Sequence, residues 1–158
     1  MNLVQMNEMD LVILDSTIEA MKQVIMHPLE VSPPDLIKQG FAQQGIAVLI
    51  GIVGSVQGRL VFHAEPEIFS RLGETMFGMP LEGEMLHSFI GEVANMIAGN
   101  TSTILSAKGK HVDITPPTIL KGDLKIFGFE SGVQISVQVQ GIGAIHIAML
   151  FHNKGGAQ

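Results

Sequence analysis

The chain has no cysteine, no tryptophan and no tyrosine among its 158 residues, and only nine lysines and arginines. Without cysteine there is no disulfide scaffold, no thiol nucleophile and no thiolate metal site. That composition fits a reducing cytoplasm, which is the expected location. Phenylalanine is the only aromatic of its class present, so stacking platforms for sugars or bases are not expected. Nine basic against fifteen acidic residues give a formal net charge of −6. With no basic cluster to neutralise phosphates, the chain is not expected to bind nucleic acid or an anionic membrane. Long apolar runs are missing too. The longest, Gly45–Val56, is about twelve residues and holds three glycines, well short of the roughly 20 that span a bilayer. The opening MNLVQMNEMD lacks the basic flank and apolar stretch of a signal peptide.

What remains is a chain that is 46% hydrophobic and 15% charged, which excludes disorder over most of its length. Its size suits one domain, expected over residues 1–152, with 153–158 as a loose tail. From Met9 to Met26 a helical period places Val12, Ile18, Met21 and Ile25 on one side and Asp15, Glu19 and Lys22 on the other. His27-Pro28 ends it. Leu29–Gln44, with Pro33-Pro34, reads as an irregular connector with a short turn at Asp35–Lys38. Ile46–Val53 is apolar on both phases and reads as a strand buried on both faces. A second copy of the chain is the simplest cover for such a strand. Arg59–His63 is its hairpin partner across Gly54–Gly58.

Glu65-Pro66-Glu67 opens a short helix through Phe77, stopped by Gly78-Met79-Pro80. A long helix follows over Glu84–Lys108. Strands are expected at His111–Ile114, Leu124–Phe129, Val133–Gln140 and Ala144–Phe151. Val133–Gln140 alternates apolar and polar without a break, one dry face and one wet. The resulting fold class is α+β, a two-layer arrangement. An antiparallel sheet of about six strands carries two long helices and one short one on one face. Two hairpins, each with a long helix upstream, hint at an internal duplication.

The segment from His87 to Asn100 carries the candidate chemistry. At about 100° per residue, Leu86, Ile90, Val93, Ile97 and Ile104 share one face. Ser88, Glu92, Asn95, Gly99 and Ser102 share the other, so Glu92 and Asn95 are neighbours on a rigid element. An ordinary solvated helix face would look similar. Two residues speak for more: an asparagine in a helix interior disfavours the helix, and Gly99 costs stability while letting another surface approach.

The run Glu92-Val93-Ala94-Asn95-Met96-Ile97-Ala98-Gly99-Asn100, followed by Val112-Asp113-Ile114-Thr115-Pro116-Pro117-Thr118, resembles the CheX branch of the CheC/CheX/FliY family of chemotaxis phosphatases. The likeness runs over nearly the whole chain. Ser88, Glu92 and Asn95 match the family's spacing of a small or acidic residue, a glutamate and an asparagine, with a proline some twenty-two residues on. The first helix has no matching pair, since Glu19 is followed three on by Lys22, which favours the single-site type.

The resemblance implies a phosphatase acting on the aspartyl phosphate of a CheY-like response regulator. Asn95 would position the attacking water and Glu92 would dock a lysine of the partner. Ser88, Met96 and Gly99 would contact that partner. It also implies no cofactor or metal on this chain, Mg²⁺ supplied by the receiver domain, and a homodimer. A non-catalytic adaptor for phosphorylated receivers, or a structural part of the flagellar switch, is the alternative.

Other constellations carry less. The six histidines show no metal-ligand spacing, and His63 and His146 read as partly buried packing residues. Neither a nucleophile elbow nor a phosphate loop is present.

Overall fold

The structure is a computed structural model that describes residues 8–37 and 41–152, and of 41–43 the backbone only. The expected tail at 153–158 lies outside the described residues, as does Lys38 of the expected turn. The element order is α1 (Glu8–Val24), β1 (Leu29–Val31), β2 (Asp35–Ile37), β3 (Phe41–Gln43), β4 (Ile46–Gly54), β5 (Gly58–Ala64) and α2 (Pro66–Phe77). Then come α3 (Glu84–Ala107), β6 (Val112–Ile114), β7 (Thr118–Lys121), β8 (Leu124–Ile126), β9 (Ser131–Val139) and β10 (Gly143–Phe151).

The helices form for the reasons their sequences suggest. On α1, Ile13, Leu14, Ala20, Met21 and Val24 face inward, while Asp15, Glu19 and Lys22 are exposed. On α2, Pro66 takes the first turn, and Gly78 closes the end in the left-handed region (φ 78°), its N–H donating to the Glu74 carbonyl. Two buried threonines answer for their hydroxyls locally. Thr17 donates to the Ile13 carbonyl on α1 (2.9 Å), and Thr101 donates to the Ile97 carbonyl on α3 (2.7 Å).

The main sheet is antiparallel and runs β1-β9-β10-β5-β4-β6, with β2 also on β9 and β7 also on β4. It is therefore six positions wide, as expected, but each outer position is shared by two short strands. This corrects the reading of residues 29–44 as a connector, and it adds β7, which the sequence reading did not contain. Leu124–Phe129 shortens to β8, which pairs with β3 in a separate two-stranded ribbon. The physical reason is the same at both edges. Pro33-Pro34 and Pro116-Pro117 interrupt an edge strand where the missing N–H groups cost no ladder bonds, and a three- or four-residue strand is too short to show a period.

The duplication extends to the edge strands, while α2 stands outside it. Glu30-Val31-Ser32-Pro33-Pro34-Asp35-Leu36-Ile37-Lys38 is matched, 83 residues on, by Asp113-Ile114-Thr115-Pro116-Pro117-Thr118-Ile119-Leu120-Lys121. Each copy pairs with the long strand of the other half: β1 and β2 lie along β9, β6 and β7 along β4. Equivalent hydroxyls clamp the two edges. The Ser136 N–H donates to Ser32 Oγ (2.8 Å), and the Gly51 N–H donates to Thr115 Oγ1 (2.7 Å). The return bonds run from the Ser32 N–H to the Ser136 carbonyl (2.9 Å) and from the Thr115 N–H to the Gly51 carbonyl (3.0 Å). The halves meet where β5 pairs with β10.

All three helices cover one face of this sheet, packing on Ile46, Val48, Ile50, Ile52, Leu60, Phe62 and the inward phase of β9 and β10. The far face is wet only in part. Ile37, Ala47, Val61, Ala148 and Leu150 form a second apolar cluster there, with Leu49, Leu120, Ile126 and Phe129 packed against it. The chain thus covers the far face of β4 at Ala47, while Leu49 is only partly buried and Val53 is exposed.

Candidate functional site

Helix α3 is held on three sides. Leu86, Phe89, Ile90, Val93, Ala94, Ile97, Ala98 and Leu105 are buried, a wider face than the 3.6-residue reading drew; Ile104 is only partly buried and Leu105 fills its expected place. Asn100 Nδ2 donates to Gln23 Oε1 of α1 (3.1 Å), and Lys108 Nζ donates to Ser16 Oγ (3.0 Å). Ser102, expected on the free stripe, instead donates to the Val112 carbonyl of β6 (2.9 Å). It is a tie between helix and sheet edge.

Ser88, Glu92 and Asn95 are brought together. They line one open cleft of about 480 Å³, with His87, Gly91, Pro117 and Ile119 as its other walls. Gly91 is buried against the Pro117–Ile119 wall: a Cβ added there would lie 3.5 Å from Ile119 and 3.7 Å from Pro117. The helix therefore seats close to the proline turn that Thr115 clamps to β4. Ser88 and Glu92 are exposed and Asn95 is half-buried. Among the described residues, neither Glu92 nor Asn95 has a side-chain hydrogen-bond or ion-pair partner; the Glu67–Arg71 salt bridge lies on α2. An acid and an amide are thus held on a rigid backbone with their polar atoms uncommitted.

Met96 points outward at 43% exposure, and the open side of Gly99 meets nothing within 4 Å. Neither lines the cleft; they border the same helix surface further along. Phe89, a neighbour of the stripe in sequence, is buried and packs edge-on to Phe77 (centroids 5.6 Å apart). The equal threonine bonds on α1 and α3 align Thr17 with Thr101, which makes Glu8 the repeat counterpart of Glu92 and Leu11 that of Asn95. Leu11 packs on the margin of the core. The first half thus keeps the acid and replaces the amide with an apolar residue.

A second constellation joins two histidines from distant parts of the sequence. His63 and His146 face each other across the β5–β10 seam with rings stacked 5.0 Å apart. His146 Nδ1 shares a hydrogen bond with Ser136 Oγ (2.8 Å). Burial first, then the neighbouring His146, pushes the His63 imidazole down to about 4, and burial lowers His146 as well. Their pairing joins strands more than eighty residues apart, which no local pattern announces. Among the described residues, no group of three or more His, Asp or Glu is placed to hold a metal ion, and no helix is long and apolar enough to cross a membrane.

The profile of the chemotaxis phosphatase CheX family matches residues 46–139, which takes in β4, β5, α2, the cleft on α3 and the Pro117 wall. The chain belongs to the CheX family. The CheY-P phosphatase CheX of Thermotoga maritima is 32% identical to it over 139 residues, 83% of this chain and 90% of that protein. Among solved structures, the chemotaxis protein CheX of Desulfovibrio desulfuricans superposes with a TM-score of 0.76 at 16% identity, covering 92% of this chain and all of that one. A CheX–CheY–BeF3–Mg²⁺ complex from Borrelia burgdorferi gives a TM-score of 0.72 at 23% identity, covering 90% of this chain and 96% of that one. This α+β arrangement is the fold of CheX and CheC-like proteins.

Proposed function

We propose that this CheX-family protein hydrolyses the aspartyl phosphate of a CheY-like response regulator, with Asn95 positioning water and Glu92 docking the partner. The observation that carries this reading is the joint placement of Ser88, Glu92 and Asn95 along one open cleft, with the acid and the amide uncommitted. The Thermotoga relative's activity and the partner in the Borrelia complex support the substrate class.

The chemistry asks little of the protein beyond geometry. In the receiver, Mg²⁺ bound by the partner draws charge from the phosphoryl oxygens. Hydrolysis then needs a water oxygen in line with the bond between phosphorus and the aspartyl oxygen. The water oxygen bonds to phosphorus as that bond breaks, aspartate leaves as carboxylate, and the water proton ends on phosphate or solvent. An amide offers a donor and an acceptor on one planar group, so Asn95 can hold both a water hydrogen and a phosphoryl-side oxygen. Positioning of this kind is a large part of what enzymes contribute to such steps. Glu92 sits one helical turn before Asn95, where a carboxylate can take a lysine beside the phosphate. A carboxylate engaged with lysine is poorly disposed to accept a proton, and a loose transition state demands little base assistance. Ser88, a further turn back, adds contact at the cleft's other end.

The proposed location is the cytoplasm, where the protein would meet its receiver. The homodimer stays within the proposal, resting on the resemblance and on the two open sheet edges. Glu92→Gln tests the docking role. Its KM for a phosphorylated receiver is expected to rise about tenfold, the loss that follows removal of one charge-assisted contact. An unchanged KM would remove Glu92 from docking.

A further inference from the structure

An apolar groove of about 680 Å³ opens beside the cleft and shares Ser88 and Glu92 with it. Leu81 and Phe89, both buried, make its floor. Phe77, Met79 and Met85 stand around it at 62%, 51% and 58% exposure. The loop that carries Leu81 is fixed, because Ser70 Oγ donates to the Leu81 carbonyl (3.1 Å), and Gly73 leaves the space in which the Leu81 side chain sits. The groove is thus a preformed depression with exposed thioether rims. Of the eight large apolar side chains exposed among the described residues, Met76, Phe77, Met79, Met85 and Met96 lie at the end of α2, in the loop after it or on α3. Surface of this kind is rarely left to water without a use.

We propose that this groove receives an apolar side chain of the phosphorylated receiver domain, carried beside the basic residue that Glu92 takes. The inference rests on the phosphatase reading above. Three observations favour a receiver as occupant. First, the groove and the cleft share a wall, so any partner seated on Glu92 borders both. Second, Met85 lies ten residues before Asn95, about 15 Å along the helix axis. A standard interface of roughly 800 Å² per partner, centred on Asn95, extends about that far. Third, Glu84 and Glu92 stand at the groove's margin, which suits an apolar side chain flanked by lysine or arginine and opposes a second copy of this acidic chain. Methionine rims suit such a role because their unbranched, polarisable side chains adapt to the shape they meet.

The test compares wild type with Met85→Ser and Met79→Ser, both at exposed positions, with Met85→Leu as the conservative variant. Phe127→Ser, exposed just after β8, whose neighbours Ile126 and Phe129 pack on the sheet face away from the helices, is the control. Affinity is measured for a receiver domain of the same genome loaded with beryllofluoride and Mg²⁺, and KM and kcat are measured on its phosphorylated form. Loss of one well-placed apolar anchor is expected to raise Kd and KM about tenfold with kcat retained, Met85→Leu restoring most of it. An unchanged Kd overturns the proposal. So does a Met85→Ser variant whose sedimentation mass falls while its Kd holds, since the groove would then seat a second copy. Because Kd is read without turnover, failure of the water-positioning role of Asn95 would leave this comparison readable.

Discussion

Asparagine inside a helix costs roughly 0.5 kcal/mol relative to alanine, and Asn95 has no hydrogen-bond partner among the described residues to offset it. A residue that works against its own helix and faces an open cleft points to use by a visitor, whereas Leu11 at the equivalent position on α1 contributes to the core margin. The histidine pair at the β5–β10 seam is also set by its surroundings. In the unfolded chain these imidazoles titrate near 6.5; in the folded chain both are lowered, His63 to about 4. The unfolded state therefore binds more protons between those values, so stability is full above pH 6.5 and falls as the pH drops towards 4. Urea midpoints measured across pH 7 to 4 are expected to decline in the wild type and to decline less in His63→Gln. Parallel curves would show that the pair does not govern acid sensitivity.

At the scale of elements, the short edge strands matter most for the site. Pro117 borders the cleft because Thr115, two residues earlier, is clamped to Gly51, and Ser32 makes the matching clamp to Ser136 in the other half. Each clamp pairs a backbone N–H with a hydroxyl, so Thr115→Val and Ser32→Ala are each expected to lower stability by about 1 kcal/mol in urea melts. Of the two, only Thr115→Val should also reduce phosphatase activity; equal activity losses, or none in either, would detach the clamp from the site.

These same strands mark where sequence reading stops. Helices α1, α2 and α3 and the hairpins β4–β5 and β9–β10 are legible because their periods and turns are local. Glu92, Asn95 and Ser88 are legible because one helix presents them together. Residues 29–31 and 35–37 are not, since three residues carry no period and their partner, β9, lies about a hundred residues on. The repeated Ser/Thr-Pro-Pro segments were the available signal: identical prolines at a fixed offset imply identical local structure. The second apolar cluster is illegible for another reason, as the residues that form it come from six separated stretches of the chain.

On the scale of the whole molecule, two similar halves exchange edge strands across a central seam and present one equipped helix instead of two. The sheet serves to make α3 rigid. The groove beside Phe89 and the cleft beside Pro117 then form one continuous surface, apolar at one end and polar at the other, over which a receiver could settle. Along that surface the proposed roles are grip at Met85 and Glu92 and water placement at Asn95. The most direct test is the decay of a phosphorylated receiver at saturating enzyme, wild type against Asn95→Ala, with affinity for the beryllofluoride-loaded receiver measured alongside. The expected result is a loss of at least a hundredfold in rate (on the order of 3 kcal/mol in the barrier) with affinity held within about twofold. Equal decay rates for the two proteins would contradict it.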